Sequence, residues 1–308
     1  MILKSIETVF IMIILISVGV FLSYIKWINE DIKKFLVKLI IYVSVPALTI
    51  YNFFETLDRE LITKFSKYVL VVLISMLILY IVNTFIGKLI KVKPIRSGSF
   101  VAMGVVSNSI FFGLPVSLGL FGEKSLPFVL LYYIGNTIIF WSLCAPRIME
   151  NGDNQIKKSF DIKKILNPPL IAVLISGILL YLNFTPPNIV LKVTEYLSSF
   201  VTPLASIVIG KIIYDIDFKK FKFEKSMLVV IAMRFIVAPI LMFYITTFFN
   251  LPKLAVQVFT IQSAMPVMTQ TILVAEMYEA DSQYVATNIS LTTLLSLFFI
   301  PLYMLILQ

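Results

Sequence analysis

Histidine is absent from the 308 residues, and cysteine occurs once, at Cys144. The first absence removes the commonest general base and metal ligand, and with it the metalloenzyme and intramembrane-protease readings. The second excludes an intramolecular disulfide framework or a multi-cysteine metal site. Cys144 stands in an apolar stretch and reads as a small buried side chain. Charge is also scarce. Only 14% of the residues are charged and 59% are hydrophobic, where soluble domains carry about a quarter charged and roughly half apolar. The excess is spread over the whole length, so the chain reads as an all-α polytopic membrane protein and not as a soluble domain with an anchor. There is no Gly-rich phosphate loop, which argues against ATP-driven transport within this chain. No convergent nucleophile or acid–base pair is found either, and an enzyme is not expected.

Apolar runs of about 20 residues suffice to cross the hydrocarbon core. Ten are present, at approximately 6–25, 35–54, 67–87, 98–121, 126–146, 168–184, 195–214, 227–249, 253–277 and 284–306. The first is too long in its apolar part for a cleavable signal peptide, and no small-residue cleavage site precedes Lys26 and Trp27. Lys and Arg set the orientation. Of the 26, 18 fall in or beside the loops after spans 1, 3, 5 and 7, and seven on the other side. The first side is therefore expected to be cytoplasmic, in the cell membrane, with both termini outside. The loop between spans 9 and 10 does not follow the rule, carrying only Glu276, Glu279 and Asp281. The net charge of +9 is read as this positive-inside signal, and no nucleic-acid partner is expected.

The halves resemble each other in the placement of proline. Pro46 and Pro203, Pro115 and Pro266, and Pro146 and Pro301 are 157, 151 and 155 residues apart. A near-constant offset predicts a five-span duplication, whose second copy must be inverted because five is odd. The expected organisation is a first repeat at 1–149, a cytoplasmic linker at 150–167 and an inverted repeat at 168–308. Within it, span 4 is anomalous: "SNSIFFGLPVSLGLFG" (107–122) carries helix-weakening glycines and polar residues at membrane depth. Span 9 has the related "IQSAMPVMTQTILVAE" (261–276). Proline removes a backbone donor and clashes with the preceding turn. Non-helical backbone at membrane depth is tolerated only inside protein or along a watery cavity. Paired interrupted spans in two inverted halves point to a transporter's substrate site.

"SVPALTIYNF", "SNSIFFGLPV", "LNPPLIAVLISGILL", "TPLASIVIGKII", "MRFIVAPIL" and "ATNISLTTLLSLFFIPL" follow one another in the order seen in the auxin efflux carrier family, which the chain resembles over nearly its whole length. The family includes plant auxin exporters and bacterial carriers of small dicarboxylates; Lys- and Ile-rich composition and short loops fit a bacterial member. The resemblance implies ten spans in two inverted repeats, in a fold related to bile acid sodium symporters, with spans 4 and 9 unwinding at their prolines and crossing near the midplane. It also implies a transport group of spans 3–5 and 8–10 moving against a scaffold of spans 1, 2, 6 and 7. Asn108 falls on the family's span-4 asparagine. Thr269 and Gln270 stand where relatives often carry asparagine, a departure that leaves the substrate open.

The expected substrate-binding set is Asn108, Ser107, Ser109, Gly113, Ser263, Thr269 and Gln270, with Gln262 nearby and Pro115 and Pro266 keeping backbone groups free. Asn108 has a second reading, as a cap or interspan hydrogen bond. Asn136 and Asn288, at similar distances before Pro146 and Pro301, are read as interhelical glue. Tyr51 and Asn52 could edge the cavity or lie near the outer interface. Arg234, within span 8, is read either as attracting anions at an inner mouth or as snorkelling to the surface. Glu276 is a coupling carboxylate or, by preference, a solvated helix end. Phe111, Phe112 and Met265 read as packing. The expected function is secondary transport of small organic anions by alternating access, with an organic acid and the lipid bilayer as partners and a homodimer left open. No cofactor is expected, and the coupling ion is left open between Na+, H+ and none. Alternatives are a sodium-coupled symporter of the bile acid type and a non-transporting receptor or sensor. Sodium/proton exchange is disfavoured, because spans 4 and 9 lack the central aspartates such exchange requires.

Overall fold

The computed structural model describes residues 2–55, 65–151, 168–182, 184–215 and 224–307. The linker expected at 150–167 lies outside the described residues except for Glu150 and Asn151, and so do the side chains of Asn52, Phe111 and Glu276. From the N-terminus, α1 covers Ile2–Tyr24, α2 Glu30–Leu39 and α3 Val45–Glu55. Next come α4 Phe65–Leu89, α5 Pro94–Val105, α6 Leu114–Phe121, α7 Leu126–Ile139 and α8 Ala145–Asn151. They are followed by α9 Pro168–Tyr181, α10 Asn188–Ser198, α11 Val201–Tyr214, α12 Lys225–Ala232 and α13 Ala238–Phe248. The order ends with α14 Lys253–Ser263, α15 Gln270–Met277 and α16 Ser282–Leu307. Among the described residues there is no β-strand, only one isolated antiparallel bridge between Ser107 and Val267.

Among the described residues, six helical stretches are long and apolar enough to cross a bilayer: 30–55, 66–89, 123–151, 188–214, 225–248 and 282–307. The protein is therefore a polytopic, all-helical membrane protein. The run expected at 6–25 forms α1, and that at 168–184 forms α9, whose 14 residues rise about 21 Å. The spans expected at 98–121 and 253–277 are each split, into α5 and α6 and into α14 and α15.

Most remaining interruptions are wide π turns, and proline accounts for them. Ile40–Ser44, Ser109–Gly113, Phe140–Cys144 and Met233–Val237 each end two residues before a proline: Pro46, Pro115, Pro146 and Pro239. In three of them the residue just before the proline reaches back five positions, with the amides of Val45, Ala145 and Ala238 donating to the carbonyls of Ile40, Phe140 and Met233. A pyrrolidine ring clashes with the carbonyl four residues back. The widened turn relieves that clash, so the helix passes the proline without stopping.

This corrects one expectation. The break in span 4 does not fall at Pro115. Helix α5 already ends at Val105, and Val106 is extended (φ −95°, ψ 144°). Pro115 stands in the first turn of α6, where a missing amide costs little. Pro266, by contrast, lies within the break of span 9, between Ser263 and Gln270. The other paired prolines do not share a local backbone. Pro46 follows a π turn and Pro203 opens α11, whereas Pro146 follows a π turn and Pro301 lies inside α16.

The chain forms two compact units. The first comprises residues 1–66, 110–130 and 163–216, and the second 67–109, 131–162 and 217–308. In the first unit α1 packs along α11, while α9 and α10 pack on α3. A Cβ on Gly210 would lie 2.2 Å from the Ile16 carbonyl oxygen, and one on Gly19 would lie 2.4 Å from that of Ile207. The two helices therefore meet backbone to backbone, the small-residue contact that membrane helices use where apolar burial gives no drive. In the second unit α13 packs on α14 and α5 on α8. The Tyr303 hydroxyl donates to the Phe235 carbonyl (2.6 Å), tying α16 to the π turn before α13.

Candidate functional site

The second unit brings the two breaks together. Where α5 ends, Ser107 pairs with Val267 in the antiparallel bridge, and the Asn108 amide donates to the Pro266 carbonyl at 2.8 Å. Two short extended segments, deep in a helical protein, leave backbone groups that need partners. Side chains supply them. The Ser107 amide donates to Oδ1 of Asn136 (3.0 Å), and Nδ2 of Asn136 donates to the Ser107 carbonyl (2.9 Å). One carboxamide thus meets both backbone groups of Ser107, as a neighbouring strand would, and the Ser109 amide also donates to the Ser107 carbonyl (2.9 Å). Nδ2 of Asn136 also reaches Ser109 Oγ at 3.4 Å. On the other break, the Val267 amide donates to Thr292 Oγ1 (3.2 Å).

The charge at the crossing belongs to Arg234, which is 0% exposed. Its Nε donates to the Met265 carbonyl (3.1 Å), one Nη to the Val106 carbonyl (3.0 Å) and the other to the Ser263 carbonyl. These carbonyls are the C-terminal ends of α5 and α14. The expected inner-mouth position is not where the guanidinium lies: it is enclosed at the crossing and satisfied by backbone. Snorkelling is likewise ruled out by this burial.

The expected residues separate clearly. Ser107, Asn108, Ser109, Pro266 and Thr269 are brought together. The Ser107 hydroxyl donates to Tyr132 Oη (3.1 Å), and Nδ2 of Asn108 donates to Thr269 Oγ1 (3.0 Å). Ser107, Asn108 and Ser109 are all buried, Asn108 the least completely. Ser263 is turned away: its hydroxyl donates to Thr260 of its own helix (2.7 Å), while its carbonyl serves Arg234. Gln270 opens α15 with a half-buried side chain, and Gln262 is buried in the last turn of α14. Gly113 and Pro115 belong to the first unit, and Gly113 has an ordinary helical φ of −68°. Met265 and Phe112 are buried, as packing residues would be.

Sequence reasoning missed Tyr132 and Thr292. A signal for both was present: Tyr132 and Asn136, and Asn288 and Thr292, stand four apart and so share a helix face.

A family model described as membrane transport protein matches residues 4–304 of this chain. The chain belongs to this family, that of the auxin efflux carriers. It is 29% identical over 305 residues to an uncharacterized transporter of Methanocaldococcus jannaschii, covering 96% of this chain and 97% of the relative. It is 26% identical over 308 residues to an uncharacterized transporter of Methanothermobacter thermautotrophicus, covering 98% of each. Both relatives are archaeal. This member of the membrane transport protein family is accordingly a membrane transporter, in a family of transporters and not of enzymes. Among its described residues no cluster of acidic and sulfur side chains is able to hold a metal ion, and no Asp or Glu is among the buried polar residues.

Proposed function

We propose that this membrane transport protein is a secondary transporter of small organic anions in the cytoplasmic membrane, working by alternating access. In this reading its spans are ten, arranged as two inverted five-span repeats with both termini outside. Asn108 and Thr269 hold the substrate, and the positive end of the α15 dipole beside them attracts a carboxylate. The observation that carries the reading is the Asn108–Thr269 hydrogen bond at the crossing (3.0 Å). It joins the two broken spans through side chains that a ligand can displace. Spans 1, 2, 6 and 7 fall in one compact unit and spans 3, 8, 9 and 10 in the other, while spans 4 and 5 of the transport group are divided between the two. For the eight undivided spans that grouping supports the division into a transport group and a scaffold.

The test is thermal unfolding of the detergent-purified protein against a panel of mono- and dicarboxylic acids. A ligand that binds only the folded state raises the midpoint by mass action. One acid is expected to raise it for the wild type and not for Asn108→Ala. Equal stabilisation of both proteins would remove Asn108 from the site, and stabilisation by no acid would overturn the organic-anion reading.

A further inference from the structure

A transporter whose broken helices cross at membrane depth has a general use for a cation there, because the unwound carbonyls and half-helix C-terminal ends collect negative charge and coordinate Na+ or H+. In this chain those groups already have a partner. The carbonyls of Val106, Ser263 and Met265 converge on the guanidinium of Arg234. Among the described residues no carboxylate forms an ion pair with it. The balance is electrostatic: each helix C-terminus carries roughly half a negative charge, and two of them offset the permanent charge of one arginine. The residues therefore do not fit a sodium ion at this place, since the oxygens that would bind it are spent.

We propose that Arg234 is the resident cation of the crossing, a built-in replacement for a coupling sodium ion, and that this transporter works without sodium. The inference rests on the transporter reading but not on any particular substrate. Arg234 is a positioning residue: it holds the ends of α5 and α14 together, and through them Asn108 and Thr269. Removing its side chain would leave a cage of three carbonyls that an external monovalent cation can enter.

The experiment is thermal unfolding of the full-length protein in detergent, without substrate, in NaCl, guanidinium chloride or choline chloride at millimolar concentration and constant ionic strength. The wild type is expected to melt at the same temperature in sodium and choline. Arg234→Ala is expected to melt lower in choline and to regain stability, saturably, with guanidinium or sodium. Arg234→Lys, which keeps a charge, is expected to stay indifferent to sodium. Saturable stabilisation of the wild type by sodium would overturn the proposal, and so would an Arg234→Ala protein that responds to neither cation. Should Arg234→Ala fail to fold, the wild-type and Arg234→Lys titrations decide: indifference of both to sodium supports the proposal, and a sodium response of the wild type sinks it. Because no acid is present, failure here leaves the organic-anion reading to its own test.

Discussion

At the scale of single residues, two asparagines that look alike in the sequence have different work. Asn136 meets both backbone groups of Ser107 at the crossing. Asn288 gives its amide to the Tyr284 carbonyl one turn back in its own helix (2.8 Å). Replacing Asn136 with Leu leaves the buried Ser107 amide unpaired, at about 1–3 kcal/mol, while the Ser107 carbonyl keeps the Ser109 amide as a donor (2.9 Å). Asn288→Leu orphans no group of the crossing. Thermal or denaturant unfolding in detergent is expected to show a loss of roughly 1–3 kcal/mol for Asn136→Leu and a much smaller change for Asn288→Leu. Similar losses in both would mean that the clamp contributes nothing particular. The sequence reading of both residues as interhelical glue was half legible. An amide at membrane depth needs partners, but which backbone it meets depends on where another span breaks. For the same reason Arg234 was legible as a buried charge, while its three carbonyl partners were not, since they come from two other spans.

At the scale of elements, apolar length is a local property, and the long helices follow it closely. Break positions are not local. Proline in span 4 pointed to a break at Pro115, yet the chain accommodates that proline with a π turn and breaks earlier, where Asn136 and Pro266 offer hydrogen bonds to Ser107 and Asn108. In span 4 proline widens a turn, and the helix stops where hydrogen-bond partners for its backbone are at hand. Helix contacts were equally hard to read. Nothing in "ISVGVFLSY" or "IVIGKIIY" says that Gly19 and Gly210 will meet, because either glycine alone is compatible with a lipid-facing position. Their contact makes a firm prediction. Gly210→Leu would force its first carbon to within 2.2 Å of the Ile16 carbonyl, a collision with backbone that no rotamer change relieves. Overpacking a core typically costs 1–3 kcal/mol, and a backbone clash sets the expected loss at or above about 3 kcal/mol. Size-exclusion profiles and melting of Gly210→Leu are the check, with Gly177→Leu as control, since a Cβ on Gly177 meets only a Phe53 ring carbon at 3.8 Å. Equal behaviour of the two variants would show that α1 and α11 tolerate separation.

At the scale of the whole molecule, the loop between spans 9 and 10 was the exception to the positive-inside pattern, and ion pairing accounts for it. Asp281 of that loop accepts from Nε of Arg96 (2.5 Å), and Glu224 accepts from its Nη1 (2.5 Å). The Arg96 guanidinium also lies 4.7 Å from the Tyr284 ring centroid. Burial pushes the basicity of Arg96 down, but the hydrogen bonds to Glu224 and Asp281 outweigh it and hold the group above the ordinary arginine value. The loops after spans 3, 7 and 9 must therefore share one side of the bilayer, and the basic residue of one neutralises the acidic residues of the others. In the first unit Lys33 pairs with Glu30 (2.7 Å), and Lys211 approaches the same carboxylate at 3.6 Å, again between ends expected on that side. Shared sidedness does not say which side is the cytoplasm. Cys144 makes that measurable in the native background, because it is fully buried and is expected not to react with a membrane-impermeant maleimide. Lys88 and Lys124 are both exposed, the first expected inside and the second outside. In intact cells Lys124→Cys is expected to label at once, and Lys88→Cys only after permeabilisation. The opposite order would invert the proposed topology, placing both termini in the cytoplasm and the Arg96 cluster on the outer face, where the excess of Lys and Arg around it would have no electrostatic reason to be.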